Sequence, residues 1–115
     1  MNIQFPEMIT KLPEIQMPVE SIKGYLIQGQ TNQSVFFIVS SGTYLPEHCH
    51  AAQWGVVLEG EFEIIIGNEK KRYKKGDTYF VAENVMHAGN YITDAVTFDV
   101  FDDKNKFAIK EHVHH

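Results

Sequence analysis

Residues 42–60 read GTYLPEHCHAAQWGVVLEG, and residues 76–90 read GDTYFVAENVMHAGN. In an extended segment side chains alternate faces, so His48 and His50, two residues apart, project the same way at a spacing of roughly 6.5 Å. A third histidine, His87, stands behind a glycine of its own, Gly76. Three imidazoles inside a β-structure without a cation would leave buried ring nitrogens seeking partners, which makes His48, His50 and His87 candidate ligands of one metal ion. Cys49 lies between the first two, and alternation points its thiol away from them.

Outward from this core, short strands punctuated by turn residues follow one another with no helical period. Gly24 to Gln28 and Val35 to Ser40 read as strands. Trp54 to Leu58 is expected to pair with Glu61 to Ile66 through a Glu59-Gly60 hairpin, and Gly67-Asn68 turns into Lys70 to Tyr73. Thr78 to Val81 leads to the His87 loop. Ala95 to Asp102 alternates Val96, Phe98 and Val100 with Thr97, Asp99 and Phe101, the pattern of a half-buried strand. Such a series predicts an all-β sandwich or closed barrel. Residues 1–22, with Pro6, Pro13 and Pro18, read as an extended arm and a candidate dimer contact, the alternative being that it lies along its own barrel. Residues 23–115 form the single barrel domain. The tail from Phe107 is a last strand or short helix, and His112, His114 and His115 are left out of the site because chain ends are commonly poorly ordered.

The whole is 115 residues, 43% hydrophobic and 22% charged, the size of one domain with one core. No apolar run is long enough to span a bilayer, and Met1 to Thr10 lacks the basic start and apolar centre of a secretion signal, so the expected location is cytoplasmic. The single cysteine cannot close an internal disulfide, in keeping with a reducing compartment. A net charge of −5 argues against nucleic acid as partner. Half of the ten basic residues sit in Lys70 to Lys75, read as a solvated edge strand that discourages strand pairing with other chains.

The two glycine-flanked segments resemble the motifs of the cupin superfamily. The first runs from Gly42 through His48 and His50 to Gly60; the second from Gly76-Asp77 to His87, with Ala82 where the family has proline and Asn84 where it has glycine. The resemblance covers about residues 35 to 102 and implies a jelly-roll β-barrel. Counting back from Gly60, the position of the family's fourth metal ligand is Gln53, with the missing residue at a kink at Ala51-Ala52. The run Gln53-Trp-Gly-Val-Val-Leu-Glu-Gly60 is similar to that of small cupins in which glutamine is the fourth ligand. The implied cofactor is one divalent metal ion, zinc, nickel, iron or manganese, held by His48, His50, Gln53 and His87.

Three imidazoles and an amide are all neutral, so a bound dication would keep its full charge and favour a small, anionic ligand. Tyr44, Glu47, Tyr79, Asp99 and Phe101 are the residues expected near the barrel mouth or on its wall, with Tyr79 and Asp99 as the candidate acid or base. Similarity to the glutamine-ligand cupins that open unsaturated uronates implies metal-dependent isomerisation or ring opening of a sugar-derived carboxylate. The alternatives are a non-catalytic small-ligand binding or sensing cupin and a metal-dependent dioxygenase. A homodimer is the expected assembly.

Overall fold

The computed structural model describes residues 4–111; His112, His114 and His115 lie outside the described residues. One helical turn, α1 (Glu7–Thr10), precedes nine strands: β1 (Ile22–Gln28), β2 (Gln33–Val39), β3 (Tyr44–His48), β4 (Gln53–Glu59), β5 (Glu61–Ile66), β6 (Glu69–Lys74), β7 (Thr78–Val81), β8 (His87–Tyr91) and β9 (Ala95–Phe101). They form a jelly roll of two antiparallel sheets, ordered β1-β2-β9-β4-β7 and β3-β8-β5-β6. Among the described residues no helix is long and apolar enough to cross a membrane.

The interior follows from alternation. From β1, β2, β4, β7 and β9 respectively, Leu26, Val35, Val57, Val81 and Phe101 point inward, each at most 3% exposed. Two apolar clusters result. Val57, Phe62, Ile64, Tyr79 and Val81 form one; Ile15, Leu26, Val35 and Phe101 form the other. The basic strand β6 is an edge of the four-stranded sheet, where Arg72 lies 3.6 Å from Glu61 and 3.9 Å from Glu63 and its lysines are exposed. It is the solvated edge expected.

Several expectations are corrected. Glu59-Gly60 is not a hairpin: β4 pairs with β7 and β9, whereas β5 pairs with β6 and β8, so Gly60 is the corner where the chain changes sheets. Gly60 has φ +86°, and a Cβ there would run into the carbonyl oxygen of Asp94; only glycine fits. Residues 4–20 form no strand of either sheet. After α1 they form single bridges, Glu14 with Tyr25 and Ile15 with Ile109, since Pro13 and Pro18 have no N–H to extend a ladder. Ile15 is 2% exposed in the core, and Gln16 N donates to Ala108 O, so this segment lies along its own barrel and is joined there by the tail. Strand β9 is half buried as its alternation implies, and the face that turns inward is the one with the polar residues: Thr97 and Asp99, each 1% exposed, point in with Phe101, whereas Phe98 and Val100 are partly exposed.

Gly55 on β4 faces Tyr79 on β7 across the ladder, and a Cβ at Gly55 would overlap the Tyr79 ring and hydroxyl. The phenol lies over bare backbone to reach Asp99. Gly55→Ala is therefore expected to destabilise the fold by about 1–3 kcal/mol, the usual cost of overpacking, and to displace Tyr79. Denaturant unfolding with the near-ultraviolet tyrosine signal checks it.

Candidate metal and ligand site

His48 ends β3 and His87 begins β8, and the two are direct partners across that ladder. His50 lies beyond the end of the strand, so plain alternation does not place it. It is held instead by the loop before β8: Asn84 N donates to His50 O (2.9 Å). Asn84 itself has φ +61°, the left-handed conformation that asparagine tolerates better than other side chains, so the turn stays tight without the family's glycine. The kink expected at Ala51-Ala52 is present, and Ala52 O takes a hydrogen bond from Asp102 N that returns the chain to register at Gln53.

The three imidazoles converge. Their ring centroids lie 4.2 Å apart for His48 and His87, 4.8 Å for His50 and His87, and 5.3 Å for His48 and His50. One ligand atom from each lies within 4.8 Å of the others, close enough for modest side-chain rotation to bring all three onto one ion at about 2.1 Å. In each ring Nδ1 meets a local backbone carbonyl: Pro46 O at 2.7 Å for His48, Ala51 O at 2.7 Å for His50 and Val85 O at 2.9 Å for His87. A carbonyl only accepts, so Nδ1 carries the proton and Nε2 keeps its lone pair. That arrangement is characteristic of metal-ligating histidine. Burial pushes His50 down to about 4, with the positive charge of Lys106 adding to it, and burial also lowers His87. Both stay neutral at physiological pH. The residues present fit one divalent metal ion.

Beside the histidines opens a cavity of about 360 Å³ lined by His48, His50, Gln53, Asp99, aromatic side chains including Phe37 and Phe107, and Lys106. A smaller space of about 50 Å³, also touching His48 and Gln53, reaches His87, Tyr79 and Tyr91. The site thus sits at the junction of the two apolar clusters. Of the residues expected near the mouth, Glu47, Asp99 and Phe101 line the larger cavity and Tyr79 the smaller, whereas Tyr44 lines neither and is 57% exposed. Cys49 is exposed, away from the site as expected.

Asp99 is the centre of a hydrogen-bond network. Its Oδ2 accepts from Tyr79 OH (2.6 Å) and Gln53 Nε2 (2.7 Å), and its Oδ1 accepts from Thr97 Oγ1 (2.7 Å). Burial raises its pKa to about 6 despite these three donors, which act the other way. The Tyr79 hydroxyl is held well above its ordinary value by burial and by the Asp99 charge, so it donates and does not ionise. Because the Gln53 amide nitrogen is tied to Asp99, its carbonyl oxygen is turned away from that carboxylate.

The profile described as Cupin domain matches residues 35–101. The chain belongs to the cupin family. KdgF from Halomonas sp. is 23% identical, with 80% of this chain and 87% of that one covered at a TM-score of 0.71. An RmlC-like cupin from Shewanella frigidimarina is 23% identical, covering 92% of this chain and 94% of its own at a TM-score of 0.74. Oxalate decarboxylase from Bacillus subtilis, a protein with Mn(II) centres, is 16% identical, with 84% of this cupin and 29% of that chain covered at 0.71. At these identities the structures share the fold; no curated protein sequence matches. Lys106, Phe107 and Thr97 were not legible as site residues in the cupin's sequence. They belong to no motif, and only the return of the chain after β9 brings Lys106 and Phe107 to the mouth.

Two outcomes are expected. Elemental analysis should find one metal ion per chain, with occupancy lost in His87→Ala and the circular dichroism of the strands kept. The second concerns Asp99, whose pKa is raised in the fold. The folded chain holds the extra proton between about pH 4 and 6, so this contribution to stability is present in acid and lost as pH rises through about 6. Metal-free Asp99→Asn should therefore gain stability relative to the parent from pH 4 to pH 7, by up to about 3 kcal/mol, in paired denaturant titrations.

Proposed function

We propose that this cupin is a metal-dependent enzyme that isomerises or opens the ring of a small sugar-derived carboxylate. The observation that carries this reading is Asp99: a fully buried carboxylate, poised near neutrality and facing the same cavity as the three imidazoles. A carboxylate that served only to bind structure would gain nothing from a pKa near 6, whereas a proton carrier works best close to the operating pH. KdgF, among the similar structures, supports a small-cupin reading of the fold.

In this reading His48, His50, His87 and the Gln53 oxygen would hold the metal, which supplies Lewis-acid polarisation of a substrate oxygen. Asp99 Oδ1 accepts only from Thr97, so a lone pair remains to take a proton from a substrate carbon or hydroxyl and return it elsewhere. Tyr79, Thr97 and Gln53 keep the carboxylate from rotating. Phe37, Phe101 and Phe107 exclude water from one side of a bound ring. Lys106, whose ammonium lies 5.0 Å from the Phe107 centroid and makes no ion pair within 4 Å among the described residues, offers a cation to a substrate carboxylate at the mouth. Burial lowers its pKa, opposed by Asp103, and a substrate anion would restore the lost favour for charge.

The test is turnover of unsaturated galacturonate by metal-loaded protein, followed by loss of the ring alkene absorbance. Asp99→Asn preserves the shape and can keep all three hydrogen bonds, since the Thr97 hydroxyl can accept. It should cut kcat about 100-fold or more with metal content unchanged, while Lys106→Met should mainly raise KM. A rate no greater than that of metal-free protein removes this substrate, and oxygen uptake with diketones or enediols would shift the assignment to a dioxygenase.

A further inference from the structure

The cavity beside the histidines is longer than a metal site needs, and its lining changes along its length. On the inner face of the five-stranded sheet Gln33, Phe101 and Gln53 share one row, and Ile22, Val39 and Ala95 share another, from Gln33 to Val39 along β2. At about 3.3 Å per residue the two rows lie roughly 20 Å apart. His50 belongs to the first, its ring centroid 5.6 Å from that of Phe101. Ile22 and Val39 line the same cavity at the other end. Phe107 joins the two, packed edge to face on Phe101 at 5.1 Å and on Phe37 at 5.9 Å.

Polar side chains gather at the first end only. The imidazoles, Gln53 and Asp99 are there, with Glu47 beside His48 in the chain. Lys106 Nζ lies 5.9 Å from the Phe101 centroid and 5.0 Å from that of Phe107, and Tyr91 also lines the small space that holds His87 and Gln53. Beyond them Met17, Ile22, Phe37, Val39 and Leu45 offer no hydroxyl, amide or charge. Met17, Ile22, Lys106 and Phe107 fall outside residues 35–101, which the family profile covers, so this half of the wall is the chain's own addition. The tail is fixed there by a buried amide: Gln33, 2% exposed, accepts from Phe107 N at 2.8 Å and donates to Phe107 O at 3.1 Å.

We propose that the apolar half of the cavity is a specificity subsite and that the ligand is an acid with an apolar body. Its carboxylate lies between the metal and Lys106, and its carbon skeleton packs against Met17, Ile22, Phe37, Val39 and Leu45. This subsite presupposes the carboxylate anchoring given above, not ring opening. A cavity of about 360 Å³ is within the roughly 300–1,000 Å³ of pockets that bury whole small molecules. A fully hydroxylated acid long enough to fill it would bury hydroxyls with nothing to bond to, each at a loss of about tenfold in affinity or more. For a sugar-derived carboxylate, the side away from the metal must therefore be deoxygenated or carry an apolar substituent. A neutral apolar ligand would leave without an anion the partly buried Lys106, which has no ion pair within 4 Å among the described residues.

Calorimetric titration of zinc-loaded protein with acetate, butanoate, hexanoate and galacturonate tests this. Affinity should rise about threefold to fourfold for each methylene, the gain for full burial, and hexanoate should bind about tenfold or more tightly than galacturonate. Met17→Gln keeps the length of the side chain and should weaken hexanoate about fivefold more than acetate, with zinc content and strand circular dichroism unchanged. Leu45→Asn is the second variant should the first fold poorly. A rise with chain length that natively folded Met17→Gln and Leu45→Asn both keep overturns the proposal. Acetate binding with an affinity that does not change along the series removes the subsite and leaves the anchoring intact, whereas failure of acetate and hexanoate alike overturns both. Turnover of unsaturated galacturonate does not enter the measurement.

Discussion

Three hydrogen bonds from imidazole Nδ1 to backbone carbonyls govern the interior of this protein. Each carbonyl belongs to a residue one or two positions from its histidine, so the ring is oriented by its own local backbone before any ligand arrives. The proton is committed to Nδ1, and Nε2 of each ring keeps a lone pair free for a shared ligand. Neutral nitrogens that line one cavity with their lone pairs free are suited to sharing a cation. The β3-β8 pairing and the turn at Asn84 serve that convergence, one by registering His48 against His87 and the other by holding the carbonyl of His50.

The other polar side chains at the cavity are carried by strands whose two faces meet different surroundings. On β9, Thr97, Asp99 and Phe101 face the cavity, while Phe98 stacks on Phe36 outside at a centroid distance of 4.6 Å. On β4, Gln53 and Gly55 face in and Trp54 faces out. The spacing of two that sends Asp99 to Gln53 and Tyr79 also sends the adjacent apolar side chains to the opposite surface. A polar network at the centre of a buried strand is costly unless every member is satisfied, and no fully buried side-chain nitrogen or oxygen among the described residues lacks a hydrogen-bond partner. Satisfying Asp99 with three neutral donors, and no fixed cation, leaves its pKa high.

The fold and the three histidines were legible in the chain because they rest on local rules: alternation, glycine at turns, and motif spacing between Gly42 and His87. Where reading failed, the missing information was long-range. Glu59-Gly60 looks like a hairpin because two strands flank a turn residue, yet whether flanking strands pair or part into separate sheets depends on β9, some forty residues on. The alternation along β9 shows two faces but not which of them turns inward; Thr97 and Asp99 face the interior, while Phe98 and Val100 are the partly exposed side chains. Pro13 and Pro18 excluded a long helix correctly, while the single bridges made by Glu14 and Ile15 depend on β1 and on the tail.

By itself, then, the sequence determined an all-β chain with His48, His50 and His87 on converging segments, since short-range geometry is written in residue spacing. Tertiary structure alone decided that Asp99 is buried against Gln53 and Tyr79, and that Lys106 and Phe107 return to the cavity mouth. Those are relations between segments 20 to 70 residues apart, and no local pattern encodes a contact whose partner lies on another strand.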